Sequence, residues 1–125
     1  MGAALKMVKR KPTGAELGAL VDQLRRAERE QAEAEERAAP VVRAWLSAQA
    51  EDERTNEAWW AAHAKVMEAH TNFSRRRGAL ALERIGKERK AAGEALNAAT
   101  PRALAALQEV EALRVRVAEL REALG

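Results

Sequence analysis

Residues 25–39 read RRAEREQAEAEERAA, a stretch with no apolar side chain larger than Ala. Ala removes little area from water, so this stretch cannot fill the centre of a globule. Its place in a longer pattern decides the fold. Leu17, Leu20, Leu24, Ala27, Gln31, Ala34, Ala38, Val41, Trp45 and Ala48 follow one another at alternating steps of three and four. That alternation is the apolar edge of a helix packed along a second helix. The same phase returns at Trp59, Ala62, Val66, Ala69 and Phe73. Asp52 and Thr55 fall on the edge in between, so EDERTN at 51–56 is either a polar layer or a local break. Pro40 leaves the phase undisturbed, which favours a kinked helix over a turn.

Composition agrees with long helices. Of 125 residues 30 are Ala, and the larger apolar side chains amount to 13 Leu, 8 Val, 3 Met, 3 Trp, Ile85 and Phe73. Ala-built seams let helices approach closely. The charge-rich Ala/Glu/Arg/Leu balance is that of coiled coils. Four i,i+4 pairs are available on the outer faces: Asp22–Arg26, Glu33–Arg37, Glu83–Lys87 and Lys90–Glu94. Each contributes only ~0.2–0.5 kcal/mol, so these faces read as solvated.

The punctuation divides the chain further. Residues 1–12 lack periodicity and read as a mobile basic tail with Lys6, Lys9, Arg10 and Lys11. Thr13 with Glu16 makes a capping box, opening a first arm over 13–70. HTNFSRRRG at 70–78 supplies the best loop, placed at 71–78, with Ser74 able to cap the next helix. A second arm over 79–125 starts in a new phase: Leu82, Ile85, Arg89, Ala92, Leu96, Ala99. Gly86 and Gly93 lie on one face, where a neighbouring backbone can come close. NAATPRAL at 97–104 predicts a break at Thr100–Pro101, with Thr100 as cap and Pro101 in the first turn. The last segment carries the cleanest repeat: Ala103, Ala106, Val110, Leu113, Val117, Leu120, Leu124. Val alternating with Leu suits a two-stranded parallel coil, but Arg116 and Arg121 would repel across one.

The expected fold is all-α: an elongated antiparallel helical hairpin or coiled coil, its arms on the order of 75–85 Å long. Four helices in a bundle are the alternative. Oligomerisation is expected in either case, with a two-fold dimer first. The layout resembles small coiled-coil hairpins such as secretion and rotary-ATPase stalks, phage scaffolding and packaging proteins, and assembly adaptors. That is a likeness of architecture, which carries no function.

Several functions are excluded or disfavoured. No Cys is present, so there is no disulfide frame, thiolate metal site or Cys nucleophile. His63 and His70 stand seven apart, about 10.5 Å along a helix, too far to share one ion. Neither Ser47 nor Ser74 sits in a nucleophile motif, and no phosphate-binding loop occurs. No enzyme, cofactor, metal, small-molecule substrate or membrane span is therefore expected. The reading is a cytoplasmic, non-enzymatic structural or adaptor protein of bacterial or phage type, or one held inside a virion. Its partners are itself or another protein. Trp45, Trp59, Trp60 and Phe73 are the candidate partner anchors, since Trp is enriched at binding hot spots. Leu17, Leu20, Leu24, Val110, Leu113, Val117 and Leu120 are the candidates for self-association. The alternative is a nucleic-acid-binding protein that uses Lys6, Lys9, Arg10 and Lys11 with Arg75, Arg76 and Arg77.

Overall fold

A computed structural model of the chain describes residues 12–125. The expected basic tail, with Lys6, Lys9, Arg10 and Lys11, lies outside the described residues. Two helices account for nearly all the rest: α1, Gly14–Glu68, and α2, Asn72–Leu124. The chain is an all-α helical hairpin.

Local chemistry explains the helix ends. The Thr13 N–H donates to Glu16 Oε2 and the Glu16 N–H donates to Thr13 Oγ1, both at 3.2 Å, closing the capping box at the start of α1. Only Ala69, His70 and Thr71 separate the helices, against the loop expected over 71–78. Thr71, not Ser74, caps α2. Its Oγ1 accepts from the Ser74 N–H at 3.0 Å and its hydroxyl donates to Ser74 Oγ at 2.7 Å. With that cap three residues earlier, weak helix formers such as Asn72 and Ser74 are carried in the first turn.

Neither proline ends a helix. α1 runs through Pro40 and α2 through Pro101, so the break expected at Thr100–Pro101 and the four-helix alternative are both corrected. Thr100 shows why. A capping hydroxyl accepts from backbone N–H groups of the next turn. Here it donates to the Leu96 carbonyl at 2.8 Å, the back-bond of a mid-helix residue. Pro101 still lacks an N–H, so the Asn97 carbonyl has no partner four residues on. What carries the helix past that cost is the seam: steps of four and three continue unbroken from Leu82 through Ala99, Ala103 and Ala106 to Leu124.

The chain divides into two compact units, one of the segment through Ala39 with Ala105–Gly125, the other of Pro40–Leu104. Both are antiparallel helix pairs. In the first, Arg37 pairs with Glu109 at 2.7 Å and Arg121 with Glu28 at 3.4 Å. Arg37 thus reaches across to the other helix and not back to Glu33. Of the four expected i,i+4 pairs only Glu83–Lys87 closes, at 3.9 Å. Ala27, Ala34, Ala38 and Val117 are buried in this unit, while Leu20, Leu24, Val110, Leu113 and Leu120 are half-buried around them. Its core is an alanine seam edged by larger side chains.

In the second unit the residues of one α1 position, a heptad apart, meet small residues of α2. Val66 faces Gly78, Trp59 faces Gly86, Asp52 faces Gly93, and Trp45 Nε1 donates to Thr100 Oγ1 at 3.2 Å. Side chains, and not the neighbouring backbone expected there, occupy the space beside Gly86 and Gly93. EDERTN is a polar layer in a continuous helix. Thr55, 1 % exposed, is the largest fully buried side chain among the described residues. Its hydroxyl bonds the Glu51 and Asp52 carbonyls at 2.9 and 3.1 Å, so no polar group is stranded. On the outer surface Arg54 forks onto Glu51, and that hydrogen bond holds the Glu51 carboxyl below the usual carboxylate range.

The glycines of this unit separate two roles. A Cβ at Gly93 would meet only Asp52 Oδ1 at 3.7 Å, an ordinary contact. Gly93→Ala should therefore raise stability by about 0.8–1.0 kcal/mol, the helix-propensity difference. A Cβ at Gly78 would stand 2.9 Å from Val66 Cγ2, on a β-branched side chain with little rotamer freedom. Gly78→Ala should lack that gain or lose stability, and urea denaturation of the two variants checks the contrast.

Candidate protein-interaction site

Adjacent tryptophans end on different faces. Trp59 sits on the seam, half-buried over Gly86, with the Arg89 guanidinium stacked 4.7 Å from its ring centroid. Trp60, the next residue, is 55 % exposed. The two rings meet edge to face at 4.9 Å. The His63 ring lies flat on Trp59 at 5.1 Å. Its position is that of a packing partner for the aromatic pair, and His70 stands in the connection between the helices. Among the described residues no group of three or more His, Asp or Glu is placed to hold a metal ion.

The four proposed anchors therefore separate. Trp45 and Trp59 pack against α2, whereas Trp60 and Phe73 stand outward, Phe73 at 75 % exposure. Two further outward residues belong with them, Met67 and Leu80, at 73 % and 65 %. Each repeats an anchor one heptad on: Met67 follows Trp60 on α1 and Leu80 follows Phe73 on α2. Leu46, two heptads before Trp60, is also exposed. Met67 shares the flank of Trp60 already in the sequence, and the signal for Leu80 and Leu46 is a seven-residue repeat off the seam. A search confined to the seam phase passes over it.

The seven self-association candidates lie along the intramolecular seam of the first unit. Val117 is buried, and Leu20, Leu24, Val110, Leu113 and Leu120 are half-buried. Leu17, near the start of α1, is the most open, at 37 %.

The Arg75–Arg77 run forms part of the opening turns of α2, and all three side chains are exposed. Arg75 Nε donates to the Ala69 carbonyl at 3.2 Å, tying the end of α1 to the start of α2. The first turn of α2 holds no acid. Cations crowded near a helix N-terminus oppose the helix dipole, so this placement does not serve helix stability.

Hollows on the surface are of another character. One of 660 Å³ is an open strip lined by Asp22, Arg25, Arg26, Glu28 and Arg29. Ligand pockets are concave and mostly apolar, which this strip is not. A smaller cleft of 260 Å³, beside Pro40, Val41, Ala44, Ala99 and Arg102, is apolar but falls short of drug-sized ligands. No helix among the described residues is long and apolar enough to cross a membrane. The chain matches no family model, no curated protein and no solved structure.

Proposed function

We propose that this chain is a non-enzymatic structural or adaptor protein whose outward apolar residues hold other proteins, a second copy of itself first. The observation that carries the reading is the row Leu46, Trp60, Met67 on α1, exposed at 53, 55 and 73 %. Single exposed apolar residues are ordinary. Glu53 holds the same heptad position between Leu46 and Trp60, so Trp60 and Met67 form the contiguous apolar pair with Leu46 beyond the acid, and exposed apolar clusters of this kind mark interaction surfaces. The hairpin already uses its seams on itself, so the cluster is surplus to the fold. Trp60 supplies the rigid aromatic anchor typical of a hot spot. A two-fold axis would set the cluster against its own copy, the commonest closed assembly.

Light scattering after size exclusion tests this. The wild-type chain should elute at twice the 13.7 kDa of one copy, and a Trp60→Ser, Met67→Ser variant at 13.7 kDa with unchanged helical circular dichroism. A wild-type chain that stays monomeric at every concentration overturns the dimer. Nucleic-acid contact through Arg75, Arg76 and Arg77 is the second reading, supported by their exposure at a helix start that holds no acid.

A further inference from the structure

We propose that the outward face of α2 from Phe73 to Lys87 is a docking site for an acidic amphipathic helix of a second protein. The proposal rests on the adaptor reading and names the partner for the face which the α1 cluster does not include. Phe73 and Leu80 stand one heptad apart, with exposures of 75 and 65 %. Arg76 and Arg77 follow Phe73 at three and four residues, and Glu83 and Arg84 follow Leu80 at three and four, so three guanidinium groups and one acid, itself paired with Lys87, stand on the same face as the two apolar side chains. All three arginines are exposed. Lys87 continues the row but is held by Glu83 at 3.9 Å. Residues 74–90 carry seven bases against Glu83 and Glu88.

Each feature selects the occupant. Two apolar side chains about 10.5 Å apart along a helix match a partner helix that presents its own pair at the same interval. The surrounding arginines require acids beside that pair, at the steps of three and four that share a helix face. Nucleic acid fits less well, because Leu80 cannot stack on a base and Phe73 is the sole aromatic of the face. A lipid surface fits less well too, since interfacial helices bury a broad apolar face and this one holds two side chains among three cations. A second copy offers acids at Glu28–Glu36, but Arg29, Gln31 and two Ala stand between them, with nothing large and apolar to meet Phe73 and Leu80.

The probe is a labelled helical peptide of about three heptads with Leu at one heptad position and Glu on both sides of it. Its counterpart has Lys in place of every Glu. Fluorescence anisotropy with the full chain should show the acidic peptide binding at least about tenfold more tightly than the basic one. Phe73→Ser with Leu80→Ser should weaken it by about tenfold or more. Arg76→Glu with Arg77→Glu should reverse the preference, a result that general unfolding would not give. Trp60→Ser with Met67→Ser should leave the affinity unchanged. Equal binding of the two peptides overturns the proposal, as does a preference that survives the charge reversal. Tighter binding to phosphatidylserine vesicles or to duplex DNA than to the acidic peptide does so as well. So does a dimer mass that Phe73→Ser with Leu80→Ser reduces to a monomer. A monomeric chain that still selects the acidic peptide removes only the dimer, and a dimer that shows no selection removes only this site.

Discussion

Ala34→Glu is expected to lower the stability of the folded chain by about 3–5 kcal/mol, the cost of a buried charge without a partner. Ala34 is 2 % exposed, in a seam whose other buried members are Ala27, Ala38 and Val117. A carboxylate there would stand between Glu33 and Glu35 in the sequence. The groove that Glu33 lines also holds Glu30 and Glu109, and its one cation, Arg37, is already bonded to Glu109 at 2.7 Å. Like charges add to the desolvation cost. Ala34→Leu should lose about 1–3 kcal/mol despite its added apolar area, because a seam set at alanine width must open to admit it. Ala32→Glu, on the exposed side of the same turn, should stay within ~0.5 kcal/mol of the parent. Urea denaturation followed by circular dichroism ranks the three. A parent-like Ala34→Glu would mean that the alanine seam does not hold these helices.

That ranking concerns a stretch whose role is legible in the order of its residues. The step of three and four places Ala27, Ala34 and Ala38 on the edge, and all three are buried. The phase also runs straight through Asp52 and Thr55, which favours the polar layer over the break. The stability of that layer depends on a bond the pattern does not encode, that of the Thr55 hydroxyl to its own helix. Thr100–Pro101 reads as a break only when local punctuation outweighs phase. Thr-Pro looks like a helix start, yet Ala99 to Ala103 is the step of four that the seam needs. At Pro40 the phase alone gives the observed continuous helix. The loop stands a few residues earlier than expected because Thr71 and Ser74 are both good caps, and the sequence does not say which hydroxyl finds an N–H. At the candidate site the division of the tryptophans is legible, since the phase sets Trp59 on the edge and Trp60 off it, whereas Phe73, which continues the same phase, stands in the first turn of α2 and is exposed. What the pattern of one helix does not fix is the register that sets Gly86 opposite Trp59.

Trp59→Ala should lose about 2–3 kcal/mol, somewhat under the ~3–5 kcal/mol of a fully enclosed aromatic, because Trp59 is only half-buried. Its indole fills the space that Gly86 leaves open, 3.6 Å from where a Cβ would stand, and carries the Arg89 guanidinium on its ring. Truncation empties that space, and no side chain on Gly86 can close it. Trp60→Ala should lose about 0.5–1.5 kcal/mol, the value of the edge-to-face contact with Trp59, since more than half of its surface already meets water. The double variant should then cost less than the two changes added together, by the energy of that ring contact. On binding, the order inverts. Trp60→Ala should dissociate the proposed dimer, and Trp59→Ala should disturb it only as far as it loosens the helix beneath. Equal stability losses at the two positions would place both rings in the core, leaving Trp60 no free surface with which to bind anything.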